Sequence, residues 1–576
     1  MKKLLVVLTV LFLTVSMFAA TDYVVREYAG NPGGVLNAGT IGDPKTFNPV
    51  WAQETSSTDM LAWLGYGSVG TFFGADQGGM PTVPQLATKW WFSEDGKTVF
   101  FELREGVVWS DGTPITMEDV LFTFNDVMLV NEQTANGNAS YMDANDELPV
   151  VEVIDEKTIS FAWTVPNVWG YKAVGYADIL PKHLLADTVA EGTFAEKWTV
   201  DQFTEVVGCG PYLPEEFVPG VYVKFVKNPN FWMKDANGVT LPYLDEVVYT
   251  IVGDQNTELL KFEAGELDLI GPTAENFPRL AEQSEEKGWE TVVGGVALGS
   301  NFITFNFNSP DPVKNEWFRN ADFRKAWVYA MDRASIIDTI YNGLGAPLYG
   351  PVSPSSGFYN PEVEEYGYKY SITRARLSLK KGGFEWLDDG TCVDADGNPV
   401  EFELLTNSGN PAREAVGAIV AAAGEKLGIK VNFTPIDFNT VVGKLLDPSY
   451  EAVIIGLTGS VDPGSGWNVF RVDGGLHMWN YSPELRPEVV MPEDYILPEW
   501  EKRVDEIFRE QTAAVDEQER YDLFAEFQII FAEEQPLVYT IGQNYLLVFD
   551  GNLVLANDDP NPAAGAFWHR EGIYWK

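Results

Sequence analysis

Cysteine and histidine are nearly absent from this sequence: Cys209 and Cys392 are the only cysteines, and His183, His477 and His569 the only histidines. No histidine stands near a cysteine or at paired ligand spacing, so no zinc site, metal or cofactor is expected. The two cysteines could bridge in an oxidising compartment, but they lie far apart in the chain and nothing local brings them together; two separate thiols is the preferred reading. Positive charge is scarce as well, with 39 Lys and Arg against 84 Asp and Glu and a formal net charge of -45. Such a surface repels phosphate backbones and anionic lipid, which excludes nucleic acid as a partner. Repeats of solenoid or propeller length are missing. So are a G-x-S-x-G elbow, an H-E-x-x-H helix and a P-loop.

One apolar run stands out, from Leu4 to Phe18, preceded by Lys2 and Lys3 and followed by Ala19 and Ala20. That order is the order of a secretory signal peptide, read as residues 1–20, and the run is shorter than the roughly 20 residues of a spanning helix. No cysteine follows it to accept a lipid, so the expectation is an exported periplasmic protein, soluble and without a lipid anchor.

With 576 residues, 45% hydrophobic and 21% charged, the chain has an ordinary globular composition and fits two or three domains. The pattern is mixed α and β. Lys97 to Arg104 reads as a strand, and Thr116 with Asp119 caps a helix whose apolar face holds Val120, Leu121, Phe124 and Val127. Val151 to Ile154 and Thr158 to Trp163 read as a hairpin. A strand from Glu246 to Ile251, a helix from about Asn256 and a strand from Leu267 to Ile270 read as one β-α-β unit with a right-handed crossover.

The clearest stretch runs from Glu401 to Gly456. A strand over Glu401 to Thr406 precedes Asn410 as N-cap and Pro411 at the first helical position, and Gly428 closes that helix. Lys430 to Phe433, Asn439 to Leu446 and Glu451 to Ile455 then give strand, helix and strand, the β-α-β-α-β core of a mostly parallel sheet. Ligands bind beyond the carboxyl ends of such strands, which singles out the loops 407–410, 435–438 and 457–467. The last carries Thr458, Gly459, Asp462 and Trp467 and is the strongest candidate.

Several segments together give the chain a family likeness: GDPKTFNPV from Gly42, the stretch LATKWWFSEDGKTVFFELREGVVWSDGTPITMEDVLFTFN from Leu86, ILPKHLL from Ile179, GCGPYLPEEF from Gly208, FEAGELDLI from Phe262 and FRKAWVYAMDRASIIDTIYNG from Phe323. In their number, order and spacing they resemble family 5 of the bacterial extracellular solute-binding proteins, the oligopeptide, dipeptide, nickel and oligosaccharide binders of ABC importers. The resemblance implies an α/β periplasmic binding protein of type II: two lobes with a hinge plus an inserted third domain, the cluster C architecture. It implies a discontinuous first lobe over 21–65, 196–298 and 544–576, an inserted domain over 66–195 and a second lobe over 299–543. It further implies that ligand is held by hinge closure and passed to permease subunits in the inner membrane, with the protein expected to act as a monomer and not as an enzyme.

Peptide binders of the family commonly anchor the peptide ammonium with an aspartate in the loop after the last core strand of the second lobe. Aligning on the Asp-Pro that follows puts Gly459 at that position, with Asp462 as a substitute three residues later. The 18 tryptophans and 24 tyrosines suit sugar rings, whose C–H faces stack on indole while amides and carboxylates read the hydroxyls. The candidate contacts are Trp51 with Gln53, Glu54 and Thr55 after the first signature turn, Asn301 near the hinge, the loop residues Thr458, Gly459, Asp462 and Trp467, and Trp479 with Asn480. An oligosaccharide, a β-linked di- to pentasaccharide of the cello- or manno- type, is preferred over an oligopeptide. A secreted glycoside hydrolase using two carboxylates is the alternative of another class, and a ligand-reporting sensor a third.

Overall fold

A computed structural model describes residues 24–27, 29–366 and 368–576; the expected signal peptide lies outside the described residues. The buried apolar side chains fall into two separate cores. One is built mainly from residues 36–249 and closed by the C-terminal Leu553, Leu555, Ala566 and Ile573. The other runs from Leu259 through Ile541, Leu546 and Val548.

The first core carries two four-stranded sheets, with short two-stranded pairings beside them. In one, Val35–Ile41 pairs in parallel with Glu246–Val252, which continues antiparallel to Tyr222–Lys227 and Tyr212–Val218. The other is wholly antiparallel and orders Ala87–Phe92, Thr98–Leu103, Thr158–Ala162 and Val150–Val153, so the expected hairpin forms. Thr98–Leu103 alternates between half-exposed and buried residues, as a strand with one face on a core must. Thr116 and Asp119 form the expected capping box, and the helix Met117–Phe122 widens into a π-helix over Thr123–Met128.

The second core surrounds a five-stranded sheet ordered Lys430–Ile436, Glu401–Asn407, Ala452–Leu457, Ser300–Phe305 and Leu537–Tyr539. Its first three strands are parallel, as the sequence pattern requires. The helix Pro411–Leu427 starts where Asn410 Oδ1 accepts from the Arg413 amide, and it stops at Gly428, whose φ of 77° is the left-handed conformation a side chain would resist.

One expected unit forms differently. Glu246–Val252 and Leu269–Ile270 are both strands, but the second leaves the first sheet and pairs antiparallel with Ile541–Asp550. There is therefore no crossover within one sheet. Ile541–Asp550 also pairs with Trp289–Val296, and these antiparallel strands are where the chain passes between the two cores. Cys209 lies buried in the first core and Cys392 in the second, both as free thiols, and burial pushes each up to about 12.

Candidate functional site

Two cavities adjoin. One, of about 540 Å³, lies between the two cores and is walled on one side by Trp169, Tyr171 and Tyr176 and on the other by Phe358 and the loop Gly459–Asp462. The other, of about 630 Å³, lies behind it in the first core, and the two share Ala75, Tyr176 and Ala563 in their walls. Both volumes suit a small ligand.

The loop after Ala452–Leu457 is held against the hinge. A Cβ on Gly459 would stand 1.9 Å from the Leu298 carbonyl oxygen, so this position accepts no side chain while the backbone stays where it is. Asp462 is already engaged. Its carboxylate accepts from Arg520 Nη1 and Nη2 at 2.8 and 2.6 Å and from Lys172 Nζ at 2.6 Å. Burial alone would raise the carboxyl, but Arg520 and Lys172 outweigh burial and hold it at about 2. Lys172 belongs to the short helix Gly170–Gly175, packed with the first core, whereas Asp462 and Arg520 belong to the second. The cluster therefore ties the two sides of the cavity together. The Val168 amide, donating to Thr512 O at 2.6 Å, and Asp146, paired with Arg471 and Arg509, add to the same seam.

Trp169 is part of this wall. Its indole N–H is buried without a hydrogen-bond partner, and its ring lies against Gly464, where a Cβ would come within 2.9 Å of it. Nothing in the sequence pattern marked Trp169, Tyr171 or Tyr176, although three aromatic residues crowd the short span 169–176.

The remaining expected residues lie elsewhere. Trp51 is half-buried against the first core, and Gln53 Nε2 donates to Asn136 Oδ1. Glu54 is the N-cap residue of the helix Thr55–Trp63 and accepts from Ser57 Oγ and the Lys45 amide. None of Trp51, Gln53, Glu54 and Thr55 lines either cavity. Asn301 sits in Ser300–Phe305 with its side-chain oxygen taken by Arg413 Nε at 2.9 Å, and Thr458 and Trp467 flank the cavity loop without lining it.

For Trp479 and Asn480 the expected cleft position is corrected. Both are 0% exposed in the second core, where Glu501, also 0% exposed, accepts from Trp479 Nε1 at 2.5 Å, His477 Nε2 at 3.0 Å and Asn480 Nδ2 at 2.6 Å. The aromatic–amide pair that looks like a sugar platform instead satisfies a buried carboxylate.

Residues 82–474 match the family described as "Bacterial extracellular solute-binding proteins, family 5 Middle". The chain belongs to that family. Within family 5 it is 30% identical, over 94% of its own length and 93% of the relative, to a Deinococcus radiodurans protein named "Probable ABC transporter-binding protein". Among solved structures it is similar to the oligopeptide-binding protein AppA from Bacillus subtilis in complex with a nonapeptide, at TM-score 0.79 and 23% identity over 95% of this chain and all of that one. It is equally similar in shape to a periplasmic binding protein of Agrobacterium fabrum in complex with stachyose, at TM-score 0.79 and 20% identity over 96% of this chain and 86% of that one. These structures share the two-lobe α/β fold of periplasmic binding proteins of type II. Family 5 supplies the substrate-binding proteins of ABC transporters, and among the described residues no helix is long and apolar enough to cross a membrane.

Proposed function

We propose that this family 5 protein captures an oligosaccharide between its lobes and delivers it, as a periplasmic monomer, to the permease of an ABC importer without altering it chemically. In this reading residues 66–195 are the inserted domain that supplies Trp169, Tyr171 and Tyr176, and residues 299–543 are the second lobe that supplies Phe358 and the loop 459–465. The observation that carries the choice of sugar over peptide is the state of that loop. The position expected to hold an ammonium-binding aspartate is Gly459, which has no room for a side chain, and the neighbouring Asp462 is already neutralised by two cations. A peptide ammonium brought here would lack a free carboxylate and its desolvation would go uncompensated. Aromatic faces are what the wall offers instead, and they suit the C–H faces of sugar rings.

The account predicts that β-linked di- to pentasaccharides raise the melting temperature while tri- to pentapeptides do not. Trp169→Ala should weaken saccharide binding by about tenfold or more in calorimetric titration while leaving the melting temperature of the free protein within a few degrees. Stabilisation by peptides alone would contradict the choice of ligand. Steady release of shorter sugars would contradict a role in transport and favour a hydrolase.

A further inference from the structure

The cavity behind the cleft contains polar groups that the protein itself leaves unmatched. Arg570 projects from the C-terminal segment, its guanidinium 5.5 Å from the Trp63 ring centroid and 6.0 Å from that of Phe567. The two rings hold it in place, yet its Nε is buried without a hydrogen-bond partner, and no ion pair within 4 Å compensates its charge among the described residues. Asp59 and Glu571 are the acids that influence it electrostatically. Glu571 is itself occupied by Arg26 Nε at 3.0 Å and His569 Nδ1 at 3.5 Å.

Across the same cavity Gln85 is only 5% exposed and its Oε1 has no hydrogen-bond partner. Glu258, against Gly39, makes no side-chain hydrogen bond among the described residues, and burial pushes its carboxyl up to about 7. The wall that carries Arg570 is fixed: Trp568 Nε1 donates to Ala75 O at 3.0 Å, and Gln77 Nε2 donates to Asn557 Oδ1 at 3.1 Å.

A donor buried without a partner is costly, the more so when it belongs to a charged group. A cavity in which the Nε of a half-buried guanidinium and a buried amide oxygen both lack hydrogen-bond partners, and which adjoins the ligand cleft, is arranged for a complementary group that arrives with the ligand. A carboxylate meets the guanidinium, and a hydroxyl beside it meets Gln85. We infer that the first-lobe cavity receives a carboxylate-bearing end of the ligand at Arg570, with Gln85 taking a hydroxyl next to it. Resting on the saccharide reading, this narrows the ligand class to an acidic oligosaccharide that ends in a uronic acid.

The test is calorimetric titration of the full mature chain with two pairs of probes. One pair is a β-linked trisaccharide with a terminal glucuronate and the same trisaccharide with that carboxylate reduced to the alcohol. The other is a tripeptide and its C-terminal amide. The inference predicts that wild type binds the glucuronate roughly tenfold to a hundredfold more tightly than its reduced form, the range of a charge-assisted hydrogen bond. Arg570→Gln, shown folded by an unchanged circular dichroism spectrum, should lose that preference and keep its affinity for the neutral sugar.

Equal affinity for the acid and the alcohol in wild type would overturn the inference without touching the saccharide reading, and that comparison needs no variant. A preference that survives in folded Arg570→Gln would also overturn it. If only the peptides bind, and the free acid binds better than the amide through Arg570, the carboxylate site stands and the saccharide reading falls. Failure of all four probes to bind would count against both.

Discussion

The two sides of the ligand space differ in what they leave unsatisfied. Two buried acids of the second lobe are saturated: Asp462, at the cleft, by Arg520 and Lys172, and Glu501, within the core, by Trp479, His477 and Asn480. In the first-lobe cavity Arg570 Nε and Gln85 Oε1 are left open. Since an unpartnered buried polar group costs free energy that a matched one does not, the first arrangement is structure and the second is capacity. The lesson is that charge near a cleft is informative about ligand only after its internal partners have been counted.

The sharpest way to break the comparison is to remove a saturated acid. Glu501→Ala strands three buried donors, and the expected loss is about 3–5 kcal/mol of unfolding free energy, read from urea melts, with ligand affinity of the folded fraction unchanged. A smaller effect is expected from pH. Asp462 titrates at about 2 in the folded protein, below its ordinary 3.8, so its contribution is fully present above the unfolded value and is lost as pH falls from about 4 toward 2. That contribution is roughly 2–3 kcal/mol, and Asp462→Asn should flatten this part of the stability profile. The smallest effect is expected in the first lobe. Arg570→Gln removes a cation that makes no ion pair within 4 Å among the described residues and acts on Asp59 and Glu571 only at longer range, so unfolding free energy should stay within about 1 kcal/mol of wild type. A loss as large as that of Glu501→Ala would mean that Arg570 is structural and the contrast between the lobes is false.

Much of the second lobe was legible in the sequence because its signals are local. Asn410, Pro411 and Gly428 mark their helix by backbone chemistry, and parallel strands buried on both faces read as apolar runs such as Ala452–Leu457. The loop 457–467 was singled out from that sheet by rule, and part of it, Gly459–Asp462 with Ser465, lines the cavity. What was not legible depends on long-range contact. Periodicity identified Leu269–Ile270 as a strand but carries no information on which sheet it joins. Trp479 and Asn480 look like ligand groups until Glu501, 22 and 21 residues further on, takes their donors. Lys172 meets Asp462 across 290 residues of sequence, so the wall formed by Trp169 to Tyr176 had no local sign of facing the cleft. Arg570 is of the same kind: it gains its meaning from Trp63, on a helix at the other end of the chain.

The central claim, that the lobes shut on an intact oligosaccharide, is tested most directly by small-angle X-ray scattering during titration with β-linked oligosaccharides. The account predicts a radius of gyration that falls and levels off at one ligand per chain, with the sugar recovered unchanged afterwards. A radius that stays constant while calorimetry on the same sample shows the sugar bound would contradict it.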